Sequence, residues 1–426
     1  MKLTLKNIGK VEKASVEING ITVIAGENST GKSTVGRALF AVFNSFHNVQ
    51  KQIQNARVDS IENYLDRMCM TVGLRSIEVF PTNEIAKEIV SHIDAYRDLD
   101  LHDLQQKLVS LFSQYDEDRS KVIDRFIRDE IISRIKEILE VSDNSFLKSL
   151  LERKLGAEFN EQVCNIFSEN DGEICLQIKD KPITVSIENT GTVDFRNSES
   201  LSLHTEVVYI DDPFILDNLR EPRWRDSFSS MNHRYHLRAK LMQPKAETNV
   251  IDEIIVQDKL NGVYEKLSSV CSGDIIIKER GFTISYRRKG SEKELDVRNL
   301  STGLKTFVIL KMLLLNGTIE PNGAIILDEP EIHLHPEWQL LFAELIVLIQ
   351  KEFGVHILLN THSPYFLRAI QVYSATHGIA DICKYYLSEV VNEYATLTDV
   401  TENIEQIYAK LARPLQKLED ERWKDG

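Results

Sequence analysis

The 426-residue sequence predicts an α/β fold with a mainly parallel core sheet, an antiparallel β subdomain and a helical insertion. Three observations predict it. Continuously apolar runs at 21–25, 324–327 and 355–359 are separated by helical stretches, the pattern of parallel strands buried on both faces. Short strand-like runs around glycine and asparagine turns read as antiparallel pairs. Between 50 and 167 the apolar residues recur every three to four positions with few glycines, which is helical spacing.

Taken in order, 3–5 and 11–18 read as strands around the Asn7-Ile8-Gly9 turn, and 21–25 as a third strand that runs into a glycine-rich loop and a helix at 35–46. In the helical stretch, Val122, Phe126, Ile127, Ile131, Ile135 and Leu139 carry the period. Breaks near Phe80-Pro81 and Val141-Ser142-Asp143-Asn144 divide it into several helices. Strands follow at 174–178, 183–187 and 206–210, then a helix at 250–269. Two further strands surround Arg280-Gly281 and Lys289-Gly290. The strand at 324–327, a helix at 338–353, the strand at 355–359 and a charged helical tail at 401–423 complete the chain. The expected division is a discontinuous head, 1–48 with 169–426, and a helical insertion, 49–168.

The loop after the third strand is Gly26-Glu27-Asn28-Ser29-Thr30-Gly31-Lys32-Ser33-Thr34. A glycine, four residues and then Gly-Lys-Ser form a phosphate-binding loop: the glycines let successive backbone N–H groups turn toward one anion. The positive end of the following helix meets that anion. Lys32 is expected on the β- and γ-phosphates and the Ser33 hydroxyl on Mg²⁺. Strand, loop and helix together predict binding of a nucleoside triphosphate.

Three further motifs narrow the chemistry. The strand at 324–327 delivers Asp328 and Glu329 to the carboxyl edge of a parallel sheet, where such sheets bind ligands. Asp328 suits the Mg²⁺ shell, and Glu329 suits a general base for an attacking water. Leu300-Ser301-Thr302-Gly303 precedes a helix and offers a serine N-cap and a second anion site. The strand at 355–359 leads through Asn360 and Thr361 to His362, whose imidazole can hydrogen-bond a γ-phosphate. His333 and His335 form a His-x-His pair without a third ligand at a sensible spacing, so a metal site there is not expected.

The formal net charge of −14 argues against a surface coated for nucleic acid. One segment is locally basic: Arg220, Arg223, Arg225, Arg234, Arg238, Lys240 and Lys245, interleaved with Trp224, His233, Tyr235 and His236. That mixture suits phosphate contact with stacking, and equally a solvated surface or a protein contact. The five cysteines are scattered without a CxxC pair, which reads as reduced thiols. No apolar run approaches the roughly 20 residues of a membrane span, and residues 1–6 do not resemble a secretory signal. The expectation is a cytoplasmic protein without membrane contact.

These motifs in this order resemble the ABC-type ATPases. Residues 26–33 match the Walker A loop, Leu300–Gly303 the signature, 325–329 the Walker B strand and His362 the switch histidine. The run Glu329-Pro330-Glu331-Ile332-His333-Leu334-His335-Pro336 is similar to the SMC, RecF and OLD branch, where it lies in the contact region between two nucleotide-bound heads. The resemblance implies ATP and Mg²⁺ as cofactors. It also implies a homodimer or higher homo-oligomer in which Ser301, Thr302 and Gly303 of one head cap the nucleotide on the other. A glutamine that would help hold Mg²⁺ is not evident; Tyr209–Pro213 lies where that loop should be, and Gln177 and Gln243 are weak candidates. With about 60 residues after His362, the Toprim nuclease that follows the ATPase in OLD proteins is not expected in this sequence. An ABC-type head with a modest insertion resembles the ATPase subunits of two-component bacterial anti-phage systems such as Septu, whose effector nuclease is a separate chain. A RecF-like repair ATPase acting on duplex DNA, or a slow nucleotide-gated scaffold, are the alternative readings.

Overall fold

The computed structural model describes residues 1–71, 81–115, 127–197, 202–219, 232–244, 261–278 and 283–422. They form two compact units, Met1–His47 with Leu150–Gly426, and Asn48–Ser149.

The first unit is organised by an eleven-stranded sheet. Its centre is parallel: β7 (Val207–Ile210), β11 (Ala324–Asp328), β12 (His356–Thr361), β3 (Ile21–Gly26) and β13 (Lys384–Val391) lie in that order. All of β3 and β7 is buried, as their unbroken apolar sequences require. Alternate residues serve different layers. Ile21, Val23 and Ala25 join a core with α9 (Thr302–Leu315), α10 (Pro336–Phe353) and α11 (Pro364–Thr376). Tyr209 and Ile326 meet α1 (Lys32–Ser45).

The sheet does not stop at β13. It continues through β14 (Tyr394–Asp399), β2 (Val11–Glu17), β1 (Lys2–Ile8), β4 (Gly172–Ile178), β5 (Lys181–Ile187) and β6 (Val193–Asn197). These strands pair antiparallel apart from β14 with β2, which is parallel and irregular between Ala395 and Thr396. The antiparallel strands expected as a subdomain are thus a wing of the same sheet. A separate antiparallel sheet holds β8 (Asp274–Lys278), β9 (Thr283–Arg287) and β10 (Glu294–Asp296).

The register gathers the chemistry. Gly26 lies beside Ser388, Ala25 beside Thr361, and Asp328 beside Asn360, so the phosphate loop and the acid pair leave one sheet edge.

The second unit is helical: α2 (Val49–Thr71), α3 (Thr82–Ser91), α4 (Ile93–Arg97), α5 (Leu101–Tyr115), α6 (Asp129–Glu140) and the start of α7 (Asp143–Phe159). Its core includes Leu65, Ile89, Leu108, Phe112, Ile131 and Ile135. The unit ends at Ser149, inside α7, rather than near 168. The reason is visible in the second half of α7, where Leu151 and Leu155 are fully buried and Nζ of buried Lys154 donates to the carbonyl of Asn44 at 2.7 Å. Val122, Phe126, Phe80 and most of the helix expected at 250–269 lie outside the described residues; 261–268 is helical. Among the described residues no helix is long and apolar enough to cross a membrane.

Candidate functional site

The loop starts where β3 runs out of room. A Cβ on Gly26 would stand 2.2 Å from the carbonyl oxygen of Ser388, so only glycine lets β13 pass this closely. Gly31 has φ 86° and caps α1, which begins at Lys32, earlier than the expected residue 35. Between them Glu27, Asn28 and Ser29 form an exposed crest, and Thr30 is buried. Two hydroxyl bonds hold the crest: Thr30 Oγ1 donates to the Glu27 carbonyl at 2.8 Å, and Ser388 Oγ to the Thr30 carbonyl at 2.5 Å.

Lys32 is only 4% exposed. Its Nζ donates to the carbonyls of Gly26 (3.0 Å) and Glu27 (2.8 Å) and stands 3.5 Å from Oε1 of Glu329. The cleft over the loop, about 410 Å³, is lined by Ser29–Thr34 together with Lys10, Arg37 and Glu329.

Asp328 is fixed from both neighbouring strands. Its Oδ2 accepts from the Tyr209 hydroxyl of β7 at 2.8 Å, and its Oδ1 from Nδ2 of Asn360 of β12 at 2.9 Å. Burial and the adjacent carboxylate push the Tyr209 phenol well above its ordinary range, so it stays a donor. Tyr209 in turn stacks on His233, ring centres 4.2 Å apart.

Glu329 leaves the strand at φ 51°, a left-handed conformation that costs a non-glycine residue about 1 kcal/mol. Its N–H donates to the Asn360 carbonyl at 2.9 Å, which holds the turn. That turn separates the two acids: Asp328 continues along the strand while Glu329 swings to Lys32 and to Nδ1 of His362, 3.4 Å away. His362 and, secondarily, Lys32 hold Glu329 below the usual carboxylate range, and Glu329 raises His362. Behind them Glu331 is 2% exposed; its Oε1 accepts from Thr361 Oγ1 and from the His362 N–H. Burial raises its pKa.

Ser301, Thr302 and Gly303 do not line the phosphate-loop cleft of their own chain. Ser301 occupies the N-cap of α9, but the expected side-chain cap bond is not made, and Ser301 is exposed. Gly303 lies tightly under Trp338, where a Cβ would meet ring carbons at 3.1 Å. Lys305 of the same helix is buried and donates to Oδ1 of Asp217 at 2.5 Å.

In the described part of the basic segment, for which phosphate contact, a solvated surface and a protein contact were equally open, the cations pair with acids of the same unit. His233 Nδ1 lies 2.7 Å from Glu158 and its Nε2 lies 3.0 Å from Asp211; Arg234 pairs with Asp211. His236 and Lys240 pair with Glu206. Arg220, Arg223, Trp224, Arg225 and Lys245 lie outside the described residues. Neither glutamine candidate joins the site: Gln177 donates to the Lys179 carbonyl on the β4 wing, and Gln243 ends α8 (His233–Met242).

The residues fit a nucleoside triphosphate with Mg²⁺. At Gly26 and Gly31 a Cβ would collide with Ser388 or with Val11 and Ala395, so glycine there lets the loop fold close against the sheet; Lys32 supplies a buried ammonium to the loop, and Ser33 and Asp328 supply hard oxygen donors. Motif reading did not find Tyr209, Asn360, Ser388 or Glu331.

The AAA ATPase domain model matches residues 1–367. A retron Vc95 probable ATPase from Vibrio cholerae serotype O1 biovar El Tor is 31% identical over 88 residues, which span 18% of this chain and 16% of that protein. Among solved structures, the SMC head domain from Thermotoga maritima aligns with a TM-score of 0.40 at 11% identity, over 94% of this chain and 98% of that one. An SMC head bound to the C-winged helix domain of ScpA aligns with a TM-score of 0.46 at 11% identity, over 95% and 98%. The family model takes in the phosphate loop, the Asp328–Glu329 pair and His362, and the chain belongs to the AAA ATPase domain family.

Proposed function

We propose that this protein binds and hydrolyses ATP, and that hydrolysis controls contact between two copies of the head. The observation that carries the reading is the convergence of Lys32 and His362 on Oε1 of Glu329 at the mouth of the phosphate-loop cleft, 3.5 and 3.4 Å away. Ser33 and Asp328 would hold Mg²⁺, which when bound neutralises charge on the phosphates. Lys32 binds the β- and γ-phosphates. Glu329, kept ionised by its two partners, orients a water and takes its proton. His362 moves between Glu329 and the γ-phosphate.

Ser301 is exposed and Thr302 half-buried at the start of α9, away from their own cleft, with Gly303 buried beneath Trp338; the open position of Ser301 supports use of this run on a partner head's nucleotide. The homodimer so formed is a two-state element biased by the γ-phosphate. The signalling role follows from the motif resemblance, and the retron ATPase likeness supports it: a regulatory ATPase that holds or releases a separately encoded effector, such as a nuclease, in anti-phage defence.

The test is Glu329→Gln with ATP and Mg²⁺, followed by light scattering after gel filtration and by phosphate release. The expected result is a stable dimer with turnover lowered at least about 100-fold. A variant that stays monomeric at micromolar concentration sinks the head-contact mechanism. Affinity purification of the same variant then distinguishes the roles: a stoichiometric effector protein supports regulation, and DNA with repair proteins supports a RecF-like role.

A further inference from the structure

Beside the phosphate-loop cleft lies a larger one, about 850 Å³, that shares Lys10 and Ser29 with it. Three segments of the head wall it: the β1–β2 turn, the stretch from Gln162 to Phe167 that follows α7, and the β13–β14 turn with Glu393 and Tyr394. Apolar surface is unusually open here. Phe167 is 88% exposed and Ile166 64%.

That surface is held rather than loose. Gly9 donates its N–H to the Val163 carbonyl at 2.8 Å, and Asn165 donates to the Asn7 carbonyl at 3.3 Å, so the stretch is tied to the strand turn before the phosphate loop. Asn165 is 5% exposed, and its Oδ1 accepts the Phe167 N–H at 2.9 Å, setting the backbone that presents the ring. In the other turn Asn392 and Glu393 both have positive φ, 49° and 72°, a tight two-residue connection that pairs Tyr394 with Val391.

Lys10 and Ser29 line both clefts, so a nucleotide whose phosphates lie at Lys32 can extend from the smaller cleft into the larger one. A fixed, solvent-facing aromatic ring with an amide and a carboxylate nearby is the chemistry of a nucleobase seat: a stacking face, and hydrogen-bond partners for the base edge. We infer that this second cleft holds the purine base and ribose of the bound nucleoside triphosphate, with Phe167 as the stacking surface. The inference rests on the proposed assignment of the phosphates to Lys32. A purine is the better occupant because its larger ring system covers more of the exposed apolar surface than a pyrimidine does.

Calorimetric titration of ATP, CTP and inorganic tripolyphosphate, each with Mg²⁺, tests it on the full chain. Phe167→Ala is expected to weaken ATP binding about tenfold and leave tripolyphosphate binding unchanged, with Phe167→Trp restoring ATP. Wild type is expected to prefer ATP over CTP. Lys32→Ala weakens both ATP and tripolyphosphate. If Phe167→Ala leaves ATP affinity unchanged while Lys32→Ala abolishes it, the base seat is elsewhere and the phosphate assignment stands. If Lys32→Ala changes neither ligand, the phosphate assignment itself falls. Phe167 is so exposed that its truncation leaves the fold intact, which a melting curve checks.

Discussion

The hydroxyl of Tyr209 donates a 2.8 Å hydrogen bond to Oδ2 of Asp328, across the pair of strands β7 and β11. The phenol thereby fixes one carboxylate oxygen while Asn360 holds the other, and each oxygen keeps a second lone pair for a cation. Tyr209→Phe keeps the ring and its stack on His233 but frees that oxygen to rotate. The expected outcome is a several-fold rise in the Mg²⁺ concentration needed for nucleotide binding, with a stability loss of about 1 kcal/mol. A Mg²⁺ titration of nucleotide binding beside a melting curve checks both.

His362→Gln removes the cation that most strongly holds Glu329 below the usual carboxylate range. Lys32 remains, so nucleotide binding should persist. Turnover is expected to fall by about 10- to 100-fold in kcat with little change in KM, and phosphate-release kinetics read the split. An equal loss in KM would show that His362 serves binding instead.

The pairing of His233 sets a pH dependence. Burial alone would lower this imidazole, but bonds to Asp211 and Glu158 raise it to about 9. A raised folded pKa means the stabilisation is complete below the ordinary histidine value of about 6.5 and is lost as pH climbs through about 9. The melting temperature is therefore expected to drop between pH 7 and pH 10. His233→Gln should be less stable at pH 7 and show a flatter profile over that window.

Gly26→Ala places a Cβ 2.2 Å from the Ser388 carbonyl. Either β13 or the loop must shift, at a cost of about 1–3 kcal/mol. Denaturant unfolding should show that loss, and nucleotide binding should fall with it because the loop's N–H groups are re-aimed. A variant that binds normally would show that β13 can yield without moving the loop.

Much of the site was legible because its signals are local. Gly26–Thr34 carries its turn chemistry within nine letters, and the apolar strand before Asp328 announces where the acids emerge. What stayed hidden depends on distant pairings. Tyr209 reaches Asp328 across 119 positions and Ser388 reaches Thr30 across 358, and nothing around either residue marks a partner. The basic segment left its alternatives open for the same reason. Its described cations read as free charge in one dimension, while their acids, Glu158, Glu206 and Asp211, come from other elements. The positive φ of Glu329 that turns it away from Asp328 leaves no mark in an acidic pair. In the fold, continuous apolar runs identified the parallel strands, whereas the merging of the antiparallel wing into the same sheet hangs on one irregular parallel pairing, β14 with β2.

The bond from Lys154 to the Asn44 carbonyl closes a neck. The chain leaves the head just after α1 and re-enters halfway along α7, with the outgoing and returning segments already clasped on the head's side. Everything between them is, to the sheet, a single closed loop, and the entropy of closing a loop grows only with the logarithm of its length. The helical unit can thus lengthen or shorten with little thermodynamic consequence for the sheet edge that bears the phosphate loop. A change in the length of the segment between Asn48 and Ser149 is therefore expected to leave the phosphate loop and its acids where they stand.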